Sequence, residues 1–172
     1  HQDGIFKHNR QTGELIWVLG ADLPFTAGDD DWPFLELIGG GTLPSHMHAP
    51  QLTPGGTLML FDNRNDLGQS RTVEYAIDAE AMTAEQIWEY IDPEHDPPLF
   101  SRSVSDADLL PGGTVLVTHG ANRMGQSPNA VFWALITEVT HDANKTKVFE
   151  VRIQSQEPPP LSHRVYRSER IP

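Results

Sequence analysis

Three stretches of the chain share one pattern of apolar and polar positions: IFKHNRQTGELIWVLG at 5 to 20, VEYAIDAEAMTAEQIWEYI at 73 to 91 and LITEVTHDANKTKVFEVRI at 135 to 153. In each, a short apolar run breaks at a polar turn, and a second run carries a large aromatic: Trp17, Trp88 or Phe149. The pattern predicts three antiparallel hairpins. The piece AEAMTAEQIWEYI is rich in helix formers, but its counterparts hold Thr12-Gly13 and His141 to Asn144, which disfavour a helix. The shared pattern therefore favours strands there as well.

A second repetition fixes how the hairpins are used. QLTPGGTLMLFDNRN at 51 to 65 returns as DLLPGGTVLVTHGAN at 108 to 122, so each residue of the first copy has a counterpart 57 positions on. Pro-Gly-Gly makes a reverse turn between two strands. Joined to the hairpin behind it, each copy gives a meander of four antiparallel strands, the plan of a β-propeller blade. The expectation is an all-β fold: one partial β-propeller domain over 1–172, of about two and a half blades. It comprises a blade remnant at 1–20, a blade at 46–91, a blade at 100–153 and a terminal strand at 163–171. Propellers have at least four blades, so the chain is expected to be a fragment of a larger ring. Segments 21 to 45 and 92 to 100 read as loops, with Asp29 to Asp31 a solvated turn. Trp32, Phe34, Leu35, Leu37 and Ile38 in the first loop could pack on a neighbouring blade or cover an apolar site.

Composition supports this picture and narrows the partners. Among 172 residues there are 14 Gly, 14 Pro and 14 aromatic residues (4 Trp, 7 Phe, 3 Tyr), which suits short strands joined by tight turns. The formal net charge of −12 argues against nucleic acid, whose phosphates need lysine and arginine. Without cysteine there is no disulfide framework and no thiolate chemistry. No apolar stretch is long enough for a helical membrane span. The chain opens on His1, so a signal peptide would lie outside it. Nothing in the sequence fixes an oligomeric state.

Of eight histidines, His46 and His48 stand out because they precede the inner strand of the first full blade, and inner strands line a propeller's channel. Alternation along an extended segment would set both on one side. The 57-residue offset makes Ser105 the counterpart of His48 and His119 the counterpart of Asp62. Ser105 is thus expected to face the same channel, and His119 to be a loop or packing residue. A metal reading is also open, since GTLPSHMH resembles the first motif of metal-binding cupins. That motif wants a carboxylate where Gln51 stands, and the second wants a histidine three residues after a turn glycine, whereas His119 comes six after Gly113. The incomplete ligand set leads us to expect neither metal nor cofactor.

Four segments together carry a resemblance: HQDGIFKHNRQTGELIWVLG, HAPQLTPGGTLMLFDNR, SRTVEYAID with QIWEY, and YRSERIP. Their order and spacing resemble the C-terminal blades of the arylsulfotransferases. The resemblance implies a six-bladed propeller, periplasmic or secreted in bacterial members. It further implies transfer of a sulfuryl group from a phenolic sulfate ester to a phenol, without the nucleotide donor PAPS, through a transiently sulfated histidine. In the family that histidine lies just before a strand reading roughly QHDAQLLPNGNLLLFDNG, which aligns it with His48. Met47, Ala49 and Arg64 depart from the Gln, Asp and Gly of that pattern. The resemblance also implies a second histidine and an arginine from the preceding blade, which would lie before His1. His46 and Ser105 are candidate substrate-binding residues beside His48, the former as a proton donor and the latter as a hydrogen-bond donor to a sulfuryl oxygen. Arg71 and Arg167 fall in family-like segments but are expected to pair with carboxylates between strands. A propeller that keeps the scaffold and binds a ligand or protein without catalysis is the alternative, supported by Ala49.

Overall fold

The computed structural model describes residues 3–21, 32–125, 130–156 and 160–171. The turn expected at Asp29 to Asp31 lies outside the described residues. Every regular element among those described is a strand: β1 (Gly4–His8), β2 (Leu15–Gly20), β3 (Glu36–Ile38), β4 (His48–Leu52), β5 (Leu58–Asp62), β6 (Arg71–Asp78), β7 (Thr83–Tyr90), β8 (Asp106–Leu109), β9 (Thr114–Met124), β10 (Val131–Thr140) and β11 (Lys147–Ile153). The helix-forming residues around Ala84 and Glu85 sit in β7, because pairing with β6 along its length overrides local propensity.

β1 and β2 form a hairpin, β4-β5-β6-β7 an antiparallel meander, and β8-β9-β10-β11 a second. Two expectations need correction. The loop expected over 21 to 45 contains β3, which runs parallel to β7 and makes the central sheet five-stranded. Phe34 bridges Val18 just ahead of it, so this segment ties the hairpin to the edge of the next sheet. The strand expected at 163–171 is irregular backbone instead, held by the His163 N–H on the Phe132 carbonyl at 2.8 Å and the Val165 N–H on the Gly120 carbonyl at 3.0 Å.

The two Pro-Gly-Gly turns close by the same bonds. Thr53 donates its N–H to the Thr57 carbonyl and Gly56 to that of Thr53; Leu110 donates to Thr114 and Gly113 to Leu110. Gly56 and Gly113 hold φ of 84° and 76°, the left-handed region that a Cβ disfavours.

β5 is apolar from Leu58 to Phe61 because both of its faces are covered. Leu58 and Leu60 meet Trp17, Leu19 and Leu35 from the hairpin side, while Met59 and Phe61 meet Val115, Val117 and Val139 of the next sheet. Period-two alternation sends neighbours to opposite faces, so a run with no polar position marks a strand buried between layers. Each such side chain contributes about 1.5–3 kcal/mol by burial. Three sheets are thereby stacked in sequence order. The far face of the last carries Leu116, Ile136, Phe149 and Val151, which border a cavity of about 630 Å³ under residues 168 to 171.

His119 lies within β9, wholly enclosed, its ring edge-on to Phe61 at 5.1 Å and neither nitrogen hydrogen-bonded. Burial pushes its pKa down to about 4. As pH falls below the ordinary histidine value of 6.5, the unfolded chain takes up this proton before the folded one. Stability present above pH 6.5 is therefore lost between 6.5 and about 4, on the order of 3 kcal/mol. Asp106 acts in the opposite sense. Burial and the neighbouring Asp108 push its pKa up to about 6, so its buried charge is relieved as pH falls through that value. His119→Leu should raise stability at pH 7 by about 1 kcal/mol, since it removes an unpartnered buried polar group. It should also abolish the acid loss assigned to His119, both effects being read from urea midpoints at pH 7 and pH 5. A pH dependence equal to that of the unaltered protein would contradict the assignment.

Candidate functional site

Asp62 and Arg71 are register partners on β5 and β6, and both are buried. The Arg71 Nε donates to Asp62 Oδ2 at 2.8 Å, and Nη1 donates to Gln86 Oε1 and Glu89 Oε2 at 3.0 Å each. Nη2 reaches the Thr42 carbonyl at 3.0 Å, where the Tyr75 hydroxyl also donates at 2.6 Å. The other Asp62 oxygen accepts the Ser45 N–H at 2.8 Å. Burial raises the Asp62 pKa above the usual carboxylate value, while the Ser45 N–H and the guanidinium hold it down. Residues 42 to 45 are thus pinned to the sheet immediately ahead of His46 and His48. Arg71 pairs with carboxylates between strands as the sequence suggested; Arg167 also meets a carboxylate, Asp106 at 3.4 Å, but from the irregular tail rather than from a strand.

His48 opens β4 with its Nδ1 2.6 Å from Asn63 Oδ1. Asn63 follows directly on Asp62, so the buried ion pair sets its position. Its Nδ2 donates to the carbonyls of Ser101 and Val104. Carbonyls only accept, so the amide must present nitrogen to them and oxygen to the ring. The imidazole consequently carries its proton on Nδ1 and keeps a lone pair on Nε2, which faces the Val104 N–H at 3.3 Å. The backbone around this ring is strained: His46, Ala49, Val104 and Ser105 have φ of 52°, 51°, 58° and 94°. Such conformations cost about 1–3 kcal/mol each and cluster where geometry serves function. A neutral imidazole of fixed tautomer can act as nucleophile or base through Nε2.

Ser105 does not face open space. It is fully buried, its Oγ lies 2.8 Å from Ser101 Oγ, and it accepts the Gly120 N–H at 3.0 Å. Its hydroxyl is occupied within the protein, which corrects the expectation that it meets a ligand. The pairs His48–Asn63 and Ser105–Gly120 are related by the same 57 positions, so the repeat preserves the contact and changes its chemistry. His46 donates its N–H to Asp3 Oδ1 at 2.7 Å and borders a cavity of about 570 Å³ with Asn65, Phe100, Arg102, Arg123 and Phe132. The extended run assumed through 46 to 48 begins only at His48, because His46 holds a positive φ.

Sequence reasoning missed Asn63, Arg102, Arg123 and Tyr166. Asn63 had a signal: the repeat reads Phe-Asp-Asn in one copy and Thr-His-Gly in the other, so the histidine and the asparagine are lost together. Tyr166 approaches the His48 ring edge-on at 6.5 Å between centroids. Its tail is seated by Gly120, where a Cβ would fall 1.8 Å from the Val165 carbonyl oxygen. Among the described residues no three His, Asp or Glu side chains gather as a metal-binding group.

The family model described as Arylsulfotransferase (ASST) matches residues 1–167. No curated protein matches the chain.

Arg71→Met strands a buried carboxylate and should cost about 3–5 kcal/mol in urea unfolding. Adding Asp62→Leu should recover part of that loss; a double variant no more stable than Arg71→Met would contradict the pairing. Gly120→Ala should displace the tail and part Tyr166 from the His48 ring, read from NMR contacts between the two. Retention of those contacts would show that Gly120 is not what seats it.

Proposed function

The chain belongs to the arylsulfotransferase family, and on that footing we propose that it transfers a sulfuryl group from a phenolic sulfate ester to a phenol through a sulfated His48, with no nucleotide donor. The observation that carries this reading is the Asn63 carboxamide on His48 Nδ1. With Nδ1 protonated, the Nε2 lone pair attacks sulfur, the bond from sulfur to the phenolic oxygen breaks, and that oxygen departs with the electron pair as phenolate. A phenol pKa of about 10 makes this departure feasible. His46, two residues away, is the candidate to protonate the leaving oxygen.

Asn63 also explains why the intermediate would be reactive. Sulfation at Nε2 leaves the ring cationic, with its remaining proton directed at the Asn63 oxygen. A neutral amide stabilises that charge but cannot remove the proton. The ring therefore leaves as neutral imidazole when a deprotonated acceptor phenol attacks the sulfur, which restores His48. The Val104 N–H, which faces Nε2 in the resting protein, would lose that acceptor on sulfation and could turn to a sulfuryl oxygen. In this reading the two four-stranded meanders are blades of a six-bladed ring, with the apolar face around Phe149 and Val151 meeting the next blade. The enzyme works in the periplasm or outside the cell, as the resemblance implies.

Incubation with 4-nitrophenyl sulfate in the absence of acceptor should add the mass of one SO3 group to the peptide containing His48, and His48→Asn should abolish it. An adduct that persists in His48→Asn, or an unmodified His48 in the unaltered protein, would overturn the assignment. Asn63→Leu should lower kcat on the order of a hundredfold by releasing the tautomer, with a smaller change in KM.

A further inference from the structure

We propose that the cavity beside His46 binds an aromatic group bearing its own anionic substituent, a carboxylate or a sulfonate. Its walls supply both halves of that recognition. Phe100 and Phe132 give flat apolar surfaces, and Arg102 and Arg123 give two guanidinium groups. Neither arginine has a carboxylate partner among the described residues, and both side chains are exposed beside the two rings. Behind the lining, Arg164 stacks 4.0 Å from the centre of the Phe132 ring, a guanidinium–aromatic contact of the kind the ligand would meet with Arg102 and Arg123. The carboxamide of Asn65 has a buried, unpartnered oxygen, and a turn of that amide would present its NH2 to an anion. A planar guanidinium reads a carboxylate or sulfonate through paired N–H donors and also stacks on aromatic faces.

The cavity adjoins the surroundings of His48 along three segments of the chain at once. His46, Arg102 and Asn65 stand two residues from His48, Val104 and Asn63 respectively. Two residues span at most about 7 Å of backbone. A substrate could therefore present one group to His48 Nε2 while a second, anionic ring rests between the arginines. This consequence rests on the proposed function, and it names a class within its substrates: aryl compounds with a remote acidic group. Binding in the cavity does not require sulfotransfer.

The test is calorimetric titration of the 172-residue chain with naphthalene-2-sulfonate, inorganic sulfate and 2-naphthol in parallel. Naphthalene-2-sulfonate should bind at least tenfold more tightly than either of the others, because only it engages rings and arginines together. Arg102→Gln with Arg123→Gln should weaken it at least tenfold with an unchanged urea midpoint, since both side chains are exposed. His48→Asn should leave the affinity within twofold. Equal affinity for sulfate and the sulfonate, no detectable binding, or an unchanged affinity in the double variant would each overturn the proposal. Sulfation of His48 is read separately: its loss with binding intact counts against the nucleophile alone, and its presence without binding counts against the cavity alone.

Discussion

The buried contact between Arg71 and Asp62 is the constraint on which the rest of the site depends. A guanidinium removed from water demands acceptors in fixed directions, and here they come from β5, β7 and the segment at Thr42. The carboxylate in turn fixes Ser45 by its N–H. Two chain segments are thereby registered against each other: the one leading into His46 and His48, and the one leaving β5 at Asn63. A hydrogen bond that sets a tautomer needs its partner within a few tenths of an ångström, and a buried, multiply bonded ion pair fixes direction as well as distance there. Strain at His46 and Ala49 persists because these anchors hold the backbone beside it, and strain at Val104 and Ser105 lies where Asn63 grips the Val104 carbonyl.

Layering provides the second level of order. β5 lies between two cores, so its length and register are fixed from both faces, and its end at Asp62 is fixed with them. From there the path to chemistry is short. Asn63 orients the ring, the ring holds a lone pair on Nε2, and the Val104 N–H lies opposite it. The histidine is thus positioned by one strand's exit and by the loop before the next sheet, across the junction of two repeats.

The sequence made the scaffold legible wherever side-chain period and backbone agreed. The shared apolar pattern and the doubled Pro-Gly-Gly turn located β4 to β11, including β7, where the pattern outweighed helical composition. Glu36–Ile38 was missed because a three-residue strand has no period to detect, and its pairing with β7 is a tertiary event. The terminal strand failed for a related reason: Val165 and Ser168 make only single contacts, with Gly120 and Thr118 of β9, and build no ladder along it. At the site, the alignment of repeats brought His48 and Ser105 into equivalent places but could not tell a ring held at Nδ1 from a hydroxyl enclosed on all sides. Arg102 and Arg123 were invisible for a simpler reason: nothing along the chain marks an arginine as lacking a carboxylate.

The chemistry proposed for His48 depends on Asn63 holding it as the Nδ1–H tautomer. Long-range proton–nitrogen NMR on the selectively labelled histidine, at a pH where the ring is neutral, reads this directly. A protonated Nδ1 and a bare Nε2 in the unaltered protein, with the tautomers mixing in Asn63→Leu, is the predicted result. A proton resident on Nε2, or a tautomer indifferent to Asn63, would contradict it.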